Sequence, residues 1–302
     1  MTAERTHNGH PHSQQIEDPR TRFHSSSFPQ QEQEQPATTD EMAPQPDHGE
    51  KTYRGSDRLA GHAALITGGD SGIGRAVAIA YAREGADVAI VYMPEEREDA
   101  RATHEAVTAA GRKCLLLEGD VRSEEFCTNS VEETLKKFGK LTILVLNAGY
   151  QKDRDGIENL PTEEFQRVFE TNIYSMFWIT RAAAPHMPPG SSIISTTSIQ
   201  AFNPSPNLVD YAMTKSAQVG FTKALAQELG PKGIRVNAVA PGPIWTPLIP
   251  GTEWDVTQFG ADTPLGRAGQ PAELASAYVF LAENNASYVS GAVIPVTGGK
   301  GL

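Results

Sequence analysis

Thr67-Gly68-Gly69-Asp70-Ser71-Gly72-Ile73-Gly74 is the stretch whose reading decides the fold. It follows a short apolar run, Ala63-Ala64-Leu65-Ile66-Thr67, and opens a helical pattern that runs from Ile73 to about Glu84. Asp87-Val88-Ala89-Ile90-Val91-Tyr92 then reads as a buried strand. Strand, glycine turn, helix and second strand make a βαβ unit. In that setting the glycines have a chemical use. They permit a tight turn and let backbone N–H groups approach a pyrophosphate at the helix N-terminus, where the dipole favours negative charge. A glycine triplet alone is a weak signal; between a strand and a helix it is a strong one.

Working outward, the alternation continues. A helix near 95–110 precedes a strand at 113–118, a helix near 123–138 precedes Leu141–Leu146, and a long helix near 162–187 precedes Ser192–Thr196. A helix near 207–229, the strand Ile234–Ala240 and a helix near 271–282 lead into a last strand, Ala292–Val296. Seven strands rich in Ile, Val and Leu, separated by helix-length segments, predict an α/β, doubly wound Rossmann fold. Its sheet is seven-stranded and parallel, with helices on both faces. Ligands of such a sheet bind outside the carboxyl ends of the strands, near the point where strand order reverses.

Upstream the pattern stops. Residues 1–46 are dominated by His, Gln, Pro, Ser, Thr and charged residues, too few of them apolar to offset the entropy of ordering, and are expected to be a disordered tail. His7, His10 and His12 lie close together there, but without a fixed scaffold no metal site is expected. Residues 47–60 mix charge with Tyr53 and Gly55 and read as an extended arm, leaving 61–302 as one domain. The net charge of −11 argues against nucleic acid or an anionic membrane as the main partner. No apolar run approaches the ~20 residues of a bilayer span, and no signal-peptide core is visible, so a cytoplasmic protein is expected. Cys114, in a strand, and Cys127, in a helix, read as buried thiols rather than a disulfide or metal pair.

Tyr211-Ala212-Met213-Thr214-Lys215 puts a phenol and an ammonium four residues apart at the start of a helix, on one face. Hydride transfer to or from a carbinol carbon needs a proton to move on its oxygen. A phenol of ordinary pKa, about 10, is poorly matched to that task at neutral pH, and a nearby lysine charge would lower it. Alone, the pair would pass for decoration of a surface helix. Ser198 closes the fifth strand, thirteen residues before Tyr211, where its hydroxyl would bond the substrate oxygen.

Together these motifs resemble the short-chain dehydrogenase/reductase family, over nearly everything from about 60 to 302. The glycine spacing, with Gly68, Gly72 and Gly74 flanking Ser71 and Ile73, is that family's variant of the dinucleotide turn. The resemblance implies that Asp120, followed by Val121, receives the adenine amino group. It implies that Asn147-Ala148-Gly149 lines the adenosine side. It also implies that Pro241-Gly242-Pro243-Ile244-Trp245-Thr246 holds the nicotinamide carboxamide through Ile244 and Thr246. Asn172, in the long helix, corresponds to the family's Asn that holds a water linking the lysine to solvent, and Lys215 would also bind the nicotinamide ribose.

The cofactor is therefore NAD or NADP. The second strand ends in Tyr92-Met93-Pro94 rather than an acidic residue, Ser71 replaces the basic residue that would favour NADP, and Arg97 is hemmed in by Glu95, Glu96 and Glu98, so the preference stays open. The implied activity is interconversion of an alcohol and a carbonyl. Tyr211 would be the acid/base, with Ser198, Lys215 and Asn172 assisting. The nearest branch is that of glucose/ribitol-dehydrogenase-like and general-stress oxidoreductases. A sugar, polyol or small aldehyde is thus one substrate class, and a secondary-metabolite ketoreductase or a cofactor-binding protein without turnover are the rivals. Residues 247–266, with Trp254 and Phe259, are placed to act as a substrate lid. Relatives commonly form tetramers through the two long helices, here with Ile173, Phe177, Ile179 and Phe221 available for the contact.

Overall fold

A computed structural model describes residues 16–252 and 255–302. The strands are β1 (Ala63–Thr67), β2 (Asp87–Tyr92), β3 (Cys114–Glu118), β4 (Ile143–Leu146), β5 (Ser192–Thr196), β6 (Arg235–Pro241) and β7 (Val293–Val296). All pair in parallel, in the order β3-β2-β1-β4-β5-β6-β7. The helices are α1 (Gly72–Arg83), α2 (Arg97–Ala109), α3 (Glu124–Phe138), α4 (Thr162–Phe169), α5 (Ser175–Ala183), α6 (Val209–Leu229) and α7 (Pro271–Ala282). The doubly wound Rossmann sheet read from the sequence is the one observed.

Strand periodicity divides the core. Ala64 and Ile66, Val88 and Ile90, and Ile143 and Val145 face one side, where they meet α1, α2 and α7. Leu65, Ala89, Val91, Leu144 and Leu146 face the other, against Val131 of α3 and Ile179 of α5. Successive side chains of a strand point to opposite faces, so both layers are built from the same short runs. The chain leaves β1 toward β2 and later returns to pair β4 on β1's other edge. That reversal opens a crevice beyond the carboxyl ends of β1 and β4.

Two expectations need correction. The helix near 162–187 is not continuous: Glu170–Tyr174 form a π turn between α4 and α5, with the Ser175 N–H reaching back to the Glu170 carbonyl. No Pro or Gly announces it, and the turn carries Asn172. The second correction concerns the tail. Residues 16–46 form neither helix nor strand, but 28–46 are packed on the domain rather than free. Phe28 stacks on Trp245 at 3.8 Å between ring centroids, and Met42 and Ala37 are buried. The Trp245 indole donates to the Pro44 carbonyl at 2.7 Å. A few apolar anchors suffice here because they complete a core already formed by Trp245, Ile249, Val256 and Ala268. His7, His10 and His12 lie outside the described residues.

Residues 47–60 lie against the C-terminal end of α1. Arg83 donates to the Gly49 and Tyr53 carbonyls, at 2.9 and 2.7 Å. Buried Glu84 accepts from the Tyr53 hydroxyl at 2.6 Å, the Ser56 N–H at 2.8 Å and Arg58 Nε at 3.0 Å. Cys114 and Cys127 are both free thiols. Of the four apolar residues offered for subunit contact, Ile179 is in the core, Ile173 and Phe221 pack against it, and Phe177 is 46% exposed. Among the described residues no helix is long and apolar enough to cross a membrane.

Candidate active site

A cavity of about 840 Å³ occupies the crevice and extends over the ends of β2, β5 and β6. That is the size of a cleft that encloses a cofactor-sized ligand. At one end lie Asp70, Tyr92, Glu96, Asp120 and Val121, and at the other Ser198, Tyr211 and Lys215. Of the residues given catalytic or cofactor-binding roles from the sequence, all but two line it. The exceptions, Gly74 and Asn172, stand behind its wall.

Tyr211 and Lys215 emerge from the first turns of α6, which points its N-terminus at the cavity. Both are buried. The Ser198 hydroxyl faces the Tyr211 phenol closely enough to favour its charged form, and the Lys215 Nζ lies 5.1 Å from the Tyr211 ring centroid. Lys215 donates to the Thr196 carbonyl at 2.8 Å, tying the helix to the end of β5. Burial pushes the phenol up to about 12, with the Ser198 hydroxyl pulling it back, and burial brings Lys215 down to about 7. Each charged form is costly alone in this dry setting. A phenolate and an ammonium formed together would stabilise one another.

Asn172 is fully committed. Its Oδ1 accepts from the Tyr150 N–H at 2.8 Å, and its Nδ2 donates to the Tyr150 carbonyl at 2.9 Å and to Thr214 Oγ1 at 3.0 Å. Its own carbonyl accepts from Gln218 Nε2 at 2.9 Å. The π turn therefore clamps the loop after β4 to α6, one residue from Lys215. π turns recur where a helix must place such a side chain.

At the other end the residues suit a dinucleotide. Ser71 precedes α1 in an extended conformation without capping it through its side chain, which leaves the first-turn amides available to a ligand phosphate. A Cβ on Gly74 would sit 1.8 Å from the Gly68 carbonyl oxygen, so this position admits only glycine and lets the turn close on the helix. Asn147 proves structural in its side chain. Nδ2 donates to the Thr67 and Gly68 carbonyls, at 3.2 and 3.0 Å, and Oδ1 accepts from Thr196 Oγ1 at 3.0 Å. It rivets the ends of β1, β4 and β5 while Ala148 and Gly149 reach the cavity. Asp120 is paired with Arg122 at 2.5 Å, and Arg97 is taken by Glu118 at 2.7 Å, so neither charge is free.

Several lining residues carry no motif and were missed. Asp70, inside the glycine turn, is buried with its Oδ2 unpartnered, and burial raises it to about 6. Burial, with Asp70 nearby, raises Glu96 to about 8. Buried Arg75 joins this group, donating to the Asp70 carbonyl at 2.7 Å and to Asp99 at 2.5 Å. Gln35, Pro36 and Ala37 form part of the wall, as do Asp255, Gln258 and Phe259 from the segment after β6. Trp254 lies outside the described residues. Only the last group had a signal in the sequence, an irregular stretch following the carboxamide motif.

The chain matches, over residues 68–300, a family model described as Enoyl-(Acyl carrier protein) reductase. It is 53% identical over 273 residues to general stress protein 39 of Bacillus subtilis, covering 90% of this chain and 95% of that one. NADPH-dependent aldehyde reductase 1, chloroplastic, of Arabidopsis thaliana is 44% identical over 282 residues, 91% of this chain and 98% of that one. Among solved structures, a short-chain dehydrogenase from Burkholderia cenocepacia in complex with NADP superposes with a TM-score of 0.76. The two are 32% identical, over 80% of this chain and 98% of that chain.

Proposed function

The protein belongs to the short-chain dehydrogenase/reductase family and is an NAD(P)-dependent oxidoreductase, and on that premise we propose that it interconverts an alcohol and a small polar aldehyde with Tyr211 as the general acid/base. The observation that carries this reading is the buried cluster of Tyr211, Ser198 and Lys215 at one end of a cleft whose other end suits a dinucleotide. Hydride transfer is the chemistry a bound nicotinamide supplies, and residues Ile244 and Thr246 would hold its carboxamide. The chain's own residues manage the oxygen and its proton. In reduction, Ser198 donates a hydrogen bond to the carbonyl oxygen and Tyr211 protonates it. Lys215 offsets the charge left on the phenol. Asn172 is a positioning residue, fixing the loop after β4 against α6.

A small polar substrate is favoured by the lining near Ser198 and Tyr211, which includes Gln151, Gln200, Asn203 and Lys300. The aldehyde reductase named among the relatives points the same way. Reduction of an enoyl thioester would call for a proton on carbon, to which the Ser198–Tyr211 pair contributes less. Phe177, exposed on α5, fits a subunit contact within a tetramer.

The test is Tyr211→Phe assayed with NADH and NADPH against a panel of aldehydes, ketones, sugars and an enoyl thioester. Turnover of aldehydes should be lost while cofactor binding, read by fluorescence quenching, is kept. Retention of more than a few per cent of wild-type kcat would contradict the assignment.

A further inference from the structure

Gln35 precedes the sheet by more than a full helix length of chain, yet it lines the same cavity as Tyr211 and Ser198. Its amide Nε2 donates to the Gln151 carbonyl and to the Gly251 carbonyl, both at 2.8 Å. Gln151 belongs to the loop after β4 and Gly251 to the segment after β6, so one side chain joins the two walls of the cleft. The approach is close: a Cβ on Gly251 would meet Gln35 Cγ at 2.9 Å.

The flanking residues hold this placement from both sides. Upstream, the Phe28 N–H bonds the Thr257 carbonyl at 3.2 Å and the Gln33 N–H bonds the Pro250 carbonyl at 3.0 Å. Downstream, the Thr39 N–H donates to Asp99 Oδ2 at 2.9 Å, and Asp99 is paired with Arg75 beneath the glycine turn. The segment thus spans the cleft, anchored near the chemistry at one point and near the dinucleotide turn at another.

Two carbonyl acceptors fix which end of the Gln35 amide carries the nitrogen. Its donors are therefore spent, while among the described residues Oε1 accepts no hydrogen bond. A half-buried acceptor at a cavity wall is complementary to a hydrogen-bond donor on the ligand, and on an aldehyde substrate that donor is a hydroxyl. We propose that Gln35 is a specificity-determining residue of the substrate pocket, accepting a hydrogen bond from a hydroxyl of a hydroxylated aldehyde and selecting such substrates over apolar ones. This rests on the carbonyl-reduction reading above and names the substrate class within it. A site built to bond a hydroxyl discriminates strongly against the analogue lacking one, because the acceptor is then left dry and unpaired.

The experiment compares glyceraldehyde with propanal as substrates of the full chain and of Gln35→Leu, at saturating NADPH. In the wild type, kcat/KM should favour glyceraldehyde. Loss of the two wall bonds lowers turnover of both substrates, so the inference is read from the difference: the variant should lose ~10–100-fold more in kcat/KM for glyceraldehyde than for propanal, through KM. Equal loss on both substrates would make Gln35 a staple only, and no loss on either would make it a bystander; each overturns the inference. If Gln35→Leu shifts the thermal midpoint or the cofactor Kd, Gln35→Met, which keeps the length of the side chain, takes its place in the comparison. Failure of the wild type to reduce either aldehyde, with cofactor still bound, would count against the carbonyl-reduction reading itself rather than against Gln35 alone.

Discussion

Lys215→Met should cost alcohol oxidation about two orders of magnitude, and the size of the loss can be worked from the geometry. Oxidation needs the phenolate of Tyr211 as base. The Lys215 ammonium lies 5.1 Å from the phenol ring centroid. At an effective dielectric of about 20, a unit charge at that range favours the phenolate by roughly 3 kcal/mol, or about two pKa units. Both groups resist charge alone, since burial takes the phenol up to about 12 and the lysine down to about 7. The coupling is reciprocal: whatever the ammonium does for the phenolate, the phenolate does for the ammonium, so the pair titrates as a unit. Methionine keeps the volume and removes the charge. Steady-state oxidation of a polyol at saturating cofactor, followed from neutral to alkaline pH, should show kcat reduced ~10²-fold at neutral pH. The rising limb of the profile should move about two units upward. A kcat within threefold of wild type, or a limb that does not move, would refute the argument that the lysine charge tunes the tyrosine.

The remaining predictions concern other parts of the molecule. Glu84→Ala removes a buried carboxylate from Arg58, Tyr53 and Ser56 and should destabilise the fold by about 3–5 kcal/mol, lowering Tm by roughly 6–20 °C in a calorimetric scan. Burial would raise the Glu84 pKa, but the bonds from Arg58 and Tyr53 outweigh it and hold the group at about 2, below its ordinary 4.5. Its contribution is therefore present above pH 4.5 and lost as pH falls toward 2, so the gap between wild type and variant should close over that window. Glu96 is the opposite case. Burial raises it to about 8, so its stabilising share is intact below its ordinary 4.5 and is lost as pH rises through 8. Glu96→Gln should be the more stable protein above that pH. It should also lower KM for NADPH relative to NADH about tenfold there, because one carboxylate fewer then opposes a 2′-phosphate at the end of β2. An unchanged ratio of the two KM values would show that Glu96 lies away from the adenosine ribose.

The sheet was legible because its signals are local. Ala63–Thr67 and Asp87–Tyr92 were bounded to the residue, since buried parallel strands leave unbroken apolar runs and glycine marks where the first one ends. The strand-end motifs reached the cavity for the same reason: once the order of strands is known, their carboxyl ends must share a rim. What a motif could not give was the use of each side chain. Asn147 reads as a ligand contact but spends its amide on the two neighbouring strand ends, of β1 and β5, and Asp120 is occupied by Arg122. The π turn at Asn172 escaped because no Pro or Gly interrupts the helical pattern around it. It is selected by bonds to Tyr150 and Thr214, residues 22 and 42 positions away.

The tail shows a different kind of failure. Composition asks whether a segment can build a core of its own, and 28–46 cannot. It does not ask whether the segment can finish a core that another part of the chain has left open. Trp245 follows directly on the residue expected to hold the carboxamide, and its ring would stand bare beside Phe259 without Phe28. The ordering entropy of the segment is offset by burying one aromatic face on another and by hydrogen bonds to backbone groups that the domain presents already ordered. The Gln151 carbonyl among them lines the active cleft, and the others adjoin Ile249, Gln258 and Phe259, which also line it. A segment recruited to cover Trp245 thereby brings Gln35 over the substrate, and the fold's most weakly patterned residues end at its most selective position.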